Sequence, residues 1–98
     1  MNIYSAGTET EVETFTLEEI LAGLKVNHRL ILWNDDINTF DHVISCLVKY
    51  LGYNSTQAEK IAWTIHNDGK CAVLEGSFTE LEVYRKILQQ EGLTVSID

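Results

Sequence analysis

Residues 28–36 read HRLILWNDD, a short apolar run that ends in three turn-forming residues. Strand-forming side chains dominate the run, and Asn and Asp favour turns because their side chains hydrogen-bond to nearby backbone. The stretch therefore predicts a strand over 28–33 that ends in a turn at 34–36.

Two helices are predicted directly after this turn. Thr39 is positioned to cap the first, whose apolar residues repeat at helical spacing until Gly52 ends it. The second carries its own apolar stripe, with Thr56 and Glu59 in capping-box register. Gly69 lies where a left-handed C-cap is expected.

The rest of the chain predicts a strand, a helix and a strand. Residues 71–74 read as a buried strand, and the turn 75–77 leads to a helix that Thr79 and Glu82 open with a further capping box. Residues 93–97 alternate between apolar and polar, the period of a half-buried strand. The order β-α-α-β-α-β predicts an α/β fold (an α+β sandwich) in which a small three-stranded antiparallel sheet packs against three helices.

One domain is expected over residues 27–98, preceded by a flexible, acidic extension over 1–26. Within the extension, Thr16 and Glu19 stand in capping-box register, which predicts a short helix over about 17–24. A chain of 98 residues forms one domain and has little room for a deep catalytic cavity.

Charge and composition exclude several classes of function. The formal net charge is −8 and the seven basic residues are scattered, which argues against binding to nucleic acid. No apolar run approaches the ~20 residues of a membrane span. The N-terminus also lacks the basic and apolar regions of a secretory signal. We therefore expect a cytoplasmic protein without membrane or nucleic-acid partners.

The two cysteines, Cys46 and Cys71, lie in apolar periodic segments, where a buried reduced thiol is the default. A disulfide or a metal pair is the alternative. It is disfavoured because the sequence pattern offers neither cysteine a second ligand at metal-binding spacing. The sequence therefore predicts no metal and no cofactor.

The candidates for function are Asn34, Asp35 and Asp36 at the strand end, and His66 in the last turn of the second predicted helix. Taken separately, the tripeptide is an ordinary turn, and a histidine at a helix end interacts with the helix dipole. An enzymatic alternative uses Asp35, Asp36 and His66 to hold a divalent ion in a hydrolase. Neighbouring side chains point apart in extended backbone, and no activated Ser or Cys motif is present, so an enzyme is disfavoured.

The combination of these residues, with its spacing, resembles a known family, the ClpS adaptors of the N-end rule pathway. The resemblance covers about residues 28–97. Its matching elements are LILWNDD at 30–36, Val43, Ile65-His66 followed by Gly69-Lys70, Gly76-x-Phe78-Thr79, and Lys86. It implies the α/β sandwich that this family shares with the C-terminal domain of the ribosomal stalk protein. It also implies an adaptor without enzymatic activity.

The resemblance further implies that the chain binds substrate proteins whose first residue is Leu, Phe, Tyr or Trp (N-degrons). It would deliver them to a ClpA- or ClpC-type AAA+ unfoldase. The free α-amino group would be bound by Asn34, Asp36 and His66, with Asp35 supporting the turn. An α-amino group is mostly cationic at neutral pH, and an amide carbonyl, a carboxylate and a neutral imidazole nitrogen can accept its three donors.

By the same resemblance, an apolar pocket beside these acceptors would hold the first side chain of the substrate. Its walls are Leu32, Asn38, Phe40, Val43, Ala62, Ile65 and Leu93. Phe40 occupies the position of a methionine that gates the pocket in the family, and Ala62 a position where methionine is common. The accepted side chains then depend on whether Phe40 or Trp63 fills the space that those methionines take.

The unfoldase would meet the third helix. Lys86 matches a lysine of the family, and Glu80 and Glu82 flank Leu81, which stands where the family has a glutamate. The alternative to N-degron recognition is a domain that binds a Clp unfoldase, or serves as a stalk-like interaction domain, without reading N-termini.

Overall fold

The computed structural model describes residues 16–18 and 28–98 of the chain. The extension predicted over 1–26 and the short helix predicted over 17–24 lie outside the described residues, apart from 16–18. The strands and helices that build the fold all fall between residues 28 and 97.

Three strands and three helices follow one another between residues 28 and 98. In chain order they are β1 (His28–Trp33), α1 (Phe40–Leu51), α2 (Ser55–Asp68), β2 (Lys70–Gly76), α3 (Phe78–Gln90) and β3 (Thr94–Ile97). The predicted α+β class and the order β-α-α-β-α-β are confirmed. Among the described residues, none of the helices combines the length and the hydropathy of a transmembrane span.

β1 is the central strand of an antiparallel sheet with the order β2-β1-β3. Alternate side chains of a strand face opposite sides of its sheet. Leu30 and Leu32 are 0% and 2% exposed and belong to the core beneath the helices, whereas Arg29 and Trp33 are exposed on the other side. The buried core residues are Leu30, Leu32, Cys46, Leu47, Ala58, Ile65, Val73, Leu81, Leu88 and Leu93.

β2 contains a bulge opposite the middle of β1. Leu30 pairs with Leu74 but Ile31 pairs with Ala72, so Val73 has no partner in the register. The hydroxyl of Tyr53 donates a hydrogen bond of 2.6 Å to the carbonyl oxygen of Val73. An extra residue of this kind bends a strand and increases its twist, and here its side chain is buried in the core.

Side-chain caps open all three helices between residues 28 and 98. Thr39 caps α1 by accepting a hydrogen bond from the backbone N–H of His42, as predicted. Asn54 forms a capping box with Gln57 at the start of α2. In the same way, Ser77 forms a capping box with Glu80 at the start of α3.

The predicted capping boxes of Thr56 with Glu59 and of Thr79 with Glu82 are therefore wrong by two residues each. An N-cap residue has extended backbone, which Asn54 and Ser77 adopt with ψ of 165° and 158°. Thr56 and Thr79 are the second residues of α2 and α3, where the backbone is already helical.

β2 is longer and less buried than its sequence predicts. It continues to Gly76, which the pattern places in a turn, because Gly76 still pairs with His28 of β1. Cys46 is buried as predicted, but Cys71 is only partly buried because β2 is an edge strand, so that prediction is wrong for Cys71. Both thiols are free, and burial raises the pKa of each above its ordinary value.

Candidate functional site

A backbone hydrogen bond joins the end of β1 to the end of α2. The N–H of Asn34 donates to the carbonyl oxygen of Gly69 over 2.9 Å. Gly69 is the C-cap of α2, with a φ of +90° in the left-handed region, and its own N–H donates to the carbonyl of Ile65. Because His66 lies in this last turn of α2, the contact brings it beside the 34–36 turn.

The carboxylate of Asp35 organises that turn. It accepts hydrogen bonds from the backbone N–H groups of Ile37 (3.0 Å) and Asn38 (2.9 Å), from Asn38 Nδ2 (2.9 Å) and from Thr94 Oγ1 (2.8 Å). The bond from the Asn38 N–H, with the other three, lowers the pKa of the Asp35 carboxyl below its ordinary value. Asn38 Nδ2 also donates to the carbonyl of Gly92 over 2.8 Å, so the turn is tied to the segment that enters β3.

Asn34, Asp36 and His66 line one open groove of about 420 Å³. All three residues are exposed, and within residues 16–18 and 28–98 no hydrogen bond or ion pair engages their side chains. Their acceptor atoms are therefore open to a ligand in the groove. The other residues that line it are Asp35, Asn38, Phe40, Val43, Ala62, Trp63 and Ile65.

A smaller cavity of about 20 Å³ adjoins the groove and shares several of its walls, among them Val43 and Ile65. Leu32 and Leu93 line this cavity and not the groove, and they are only 2% and 5% exposed. The structure thus brings the seven predicted pocket residues together, five at the open groove and these two leucines behind it.

An aromatic pair stands at the groove. The rings of Phe40 and Trp63 lie 4.7 Å apart between centroids at 54°, and Trp63 meets the His66 ring edge-on at 5.8 Å. Ala62, next to Trp63 in the sequence, is buried. The sequence suggested Trp63 only as a filler for the space beside Ala62. No motif in the sequence marks Trp63 as part of the groove wall. The structure shows this role, because the half-exposed indole of Trp63 lines the groove next to Ala62.

The structure does not assemble Asp35, Asp36 and His66 into a metal-binding group. Among the described residues, the ligand atoms of these three side chains do not all lie within 4.8 Å of one another. The Asp35 oxygens are in addition committed to the turn. In the described part of the chain, these three residues therefore do not form the metal cluster that the hydrolase alternative requires.

The residues predicted to meet an unfoldase lie along α3. Leu81, at the position of the family's glutamate, is fully buried and presents no side chain to a partner. Glu80 is engaged in the capping box, and Glu82 forms an ion pair with Arg85 whose hydrogen bond lowers the pKa of the Glu82 carboxyl. Lys86 is exposed.

Comparison with solved structures gives a likeness of fold. ClpS2 of Agrobacterium tumefaciens, in a structure with L-phenylalaninamide bound, matches this chain with a TM-score of 0.62 and 17% sequence identity. The match covers 72% of this chain and 93% of that one.

The sequence comparisons place the chain in a family. Residues 25–96 match the family model "ATP-dependent Clp protease adaptor protein ClpS". The chain is 39% identical over 71 residues to the ATP-dependent Clp protease adapter protein ClpS of Synechocystis sp., a match that covers 71% of this chain and 72% of that protein. The ClpS protein of Nostoc sp. is 38% identical over the same length, covering 71% and 73%. The chain therefore belongs to the ClpS family of adaptors of the ATP-dependent Clp protease.

Proposed function

We propose that this Clp protease adaptor binds substrate proteins by a large apolar N-terminal residue and delivers them to a Clp AAA+ unfoldase in the cytoplasm. One observation carries the proposal: the groove has three unengaged polar side chains, Asn34, Asp36 and His66, beside apolar walls. A ligand that fits has a cationic or hydrogen-bonding head next to a large apolar side chain. The first residue of a protein has both.

The polar end of the groove suits an α-amino group. Such a group has a pKa of ~7.7–8.0, so it is mostly an ammonium with three donors at neutral pH. The carboxylate of Asp36, the amide oxygen of Asn34 and the unprotonated ring nitrogen of His66 are three acceptors of the required kind. Asp35 then keeps the turn in shape and does not touch the ligand, because its oxygens already accept four hydrogen bonds.

The apolar walls suit the side chain of Leu, Phe, Tyr or Trp. Val43, Ala62 and Ile65 give an aliphatic surface, and the Phe40–Trp63 pair adds aromatic faces. L-Phenylalaninamide, the molecule in the Agrobacterium tumefaciens ClpS2 structure, combines a free α-amino group with an aromatic side chain. It has the chemistry that this groove would accept.

The strength of binding follows from ordinary magnitudes. Burial of one large apolar side chain contributes ~1.5–3 kcal/mol. A charge-assisted hydrogen bond contributes ~1.5–3 kcal/mol. Since association has its own entropic cost, the affinity for an N-terminal residue is expected to be of about micromolar order.

Delivery is assigned to α3. Lys86 is exposed there, with Glu80 and Glu82 on the same helix. We infer that a ClpA- or ClpC-type unfoldase docks on this helix. Leu81 takes no direct part in that docking because it is buried in the core.

The proposal is tested with two peptides that begin with Phe and differ only in acetylation of the first amine. The free peptide should bind with micromolar affinity by fluorescence anisotropy. Its acetylated copy should bind about 100-fold more weakly, because acetylation removes the charge and two of the donors. Equal affinities would overturn the proposal and favour a domain that binds the unfoldase without reading N-termini.

Two variants place the binding in the groove. Asp36→Ala should weaken binding of the free peptide about 10-fold or more, because the ammonium loses its carboxylate partner. Glu59→Ala is the matched control, since Glu59 is an exposed carboxylate of α2 that does not line the groove. It should bind the peptide like the unaltered protein.

A further inference from the structure

A second cluster of ligand-type side chains lies on α1 and at the C-cap of α3, and none of its members lines the groove. His42 and Cys46 are four residues apart on α1 and share one helical face, so His42 is a second ligand at helical spacing, contrary to the sequence-based expectation for Cys46. Glu91, the C-cap residue of α3, faces them. Within the described ranges, this is the group of three His, Cys, Asp or Glu side chains whose ligand atoms all lie within 4.8 Å of one another.

The distances suit a small tetrahedral ion. Cys46 Sγ lies 3.7 Å from His42 Nε2. With Zn–S of ~2.3 Å and Zn–N of ~2.0–2.1 Å, the sulfur and nitrogen ligands of a tetrahedral zinc ion are about 3.5 Å apart. The two α1 side chains therefore already have the separation that zinc requires, and the ligand atoms of all three residues lie within 4.8 Å of one another.

The surroundings supply the outer contacts that metal ligands usually have. The hydroxyl of Tyr50 donates to Glu91 Oε2 over 2.5 Å and so orients this carboxylate, leaving its second oxygen for an ion. The backbone carbonyl of Glu91 lies 2.8 Å from His42 Nε2 and accepts a hydrogen bond from it. Binding of an ion by Nε2 replaces this hydrogen bond, and water supplies the fourth ligand.

We propose that His42, Cys46 and Glu91 form a zinc site that joins α1 to the C-terminal end of α3. Zinc suits this mixed set of thiolate, imidazole and carboxylate ligands. On binding, the Cys46 thiol releases its proton to solvent, and the proton on His42 Nε2 is replaced by one on Nδ1. The site lies outside the N-degron groove, so it does not depend on the function proposed above.

The structural alternative explains part of the same geometry. A histidine that donates to the last carbonyls of a helix is an ordinary cap, and a buried cysteine is ordinary core. These two roles explain neither the carboxylate of Glu91 beside them nor the Tyr50 hydroxyl that orients it. Metal binding is therefore the property that separates the two interpretations.

The test uses the full chain, without a histidine tag and with both thiols reduced, titrated with Co²⁺ and then with Zn²⁺. Cobalt bound by Cys46 should give a thiolate-to-cobalt charge-transfer band that saturates at one ion per chain, and zinc should abolish the band. Absence of the band, or saturation without any thiolate contribution, would overturn the proposal.

Matched variants assign the ligands. Cys46→Ser should lose the band, whereas Cys71→Ser should keep it, because Cys71 lies on β2 away from the cluster. Tyr50→Phe keeps all three ligands and should weaken cobalt binding about 10- to 100-fold, the usual effect of an outer-shell partner. Loss of the band in Cys71→Ser would contradict the site. So would an unchanged cobalt affinity in Glu91→Gln, provided that circular dichroism shows this variant to be folded like the unaltered chain.

Discussion

The carboxylate of Asp35 accepts four hydrogen bonds, whereas that of Asp36 accepts none in the part of the chain that the structure describes. The two residues are adjacent and chemically identical, so their surroundings alone distinguish them. Engagement of Asp35 holds the turn closed, and it leaves Asp36 as the carboxylate that can meet a ligand. At the residue scale, this difference explains the proposed roles, in which Asp35 supports the turn and Asp36 accepts hydrogen bonds from the ligand.

Replacement of Asp35 should affect stability in a pH-dependent way. The pKa of its carboxyl is lowered in the folded chain, mainly by the hydrogen bond from the Asn38 backbone. A lowered pKa contributes stability above the unfolded-state pKa of ~3.9, and this contribution is lost as the pH falls through the folded value. Asp35→Asn should therefore lower the free energy of unfolding by about 1 kcal/mol at pH 7 and by less at about pH 3.

Urea unfolding of both proteins at the two pH values measures this difference. Asp36→Asn serves as the control, because its carboxylate makes no hydrogen bond to the described residues, and it should change the unfolding free energy little at pH 7. A penalty for Asp35→Asn that is the same at both pH values would contradict the assigned role of the charged carboxylate.

At the scale of an element, β2 owes its shape to the bulge at Val73. The extra residue allows β2 to pair with β1 in two registers, one on each side of the bulge. Tyr53, from the segment between α1 and α2, donates to the Val73 carbonyl and so anchors the bulge from outside the sheet. The bulge in β2 is therefore stabilised by Tyr53, a residue that lies outside the strands and cannot be found from a strand pattern.

Tyr53→Phe should lower the free energy of unfolding by about 1 kcal/mol, since it removes one hydrogen bond from a partly buried carbonyl and keeps the ring. Thermal or urea unfolding measures the loss. Tyr84→Phe is the matched control: Tyr84 packs against the core, but its hydroxyl makes no hydrogen bond to the described residues. Equal losses in the two variants would show that the Tyr53 hydroxyl does not support the bulge.

At the scale of the whole molecule, the groove is assembled from distant parts of the chain. Asn34 is bonded to Gly69, Asp35 to Thr94, and Asn38 to Gly92. These contacts join the turn after β1 to the end of α2 and to the start of β3. The groove therefore depends on the closed fold, and it should persist wherever that fold is intact.

A chain reduced to residues 27–98 should fold and bind the Phe peptide with unchanged affinity. The buried core runs from Leu30 to Leu93, so every element that builds the core is retained. The unfolding free energy should stay within about 1 kcal/mol of that of the full chain.

Loss of folding in the shortened chain would contradict the predicted domain boundary. Loss of peptide binding with the fold intact would instead mean that residues 1–26 contribute to the groove. Circular dichroism and anisotropy on the same sample separate these two results.

The elements of the fold could be predicted from the sequence because local signals encode them. Strand formers before Asn34, helical spacing after Thr39 and glycine at Gly69 each act over a few residues. The same locality explains the errors at two caps. Asn54 and Thr56 both suit an N-cap chemically, and only the backbone conformation at each position decides between them.

The sequence by itself determined the α+β class, the order of the strands and helices, and the candidate residues Asn34, Asp36 and His66. The tertiary structure alone decided which groups the Asp35 carboxylate binds, how Phe40 packs on Trp63, and that Glu91 meets His42 and Cys46. Those properties are distances between residues far apart in the chain. No local period encodes such a distance; it is set when the core closes and the helices pack on one face of the sheet.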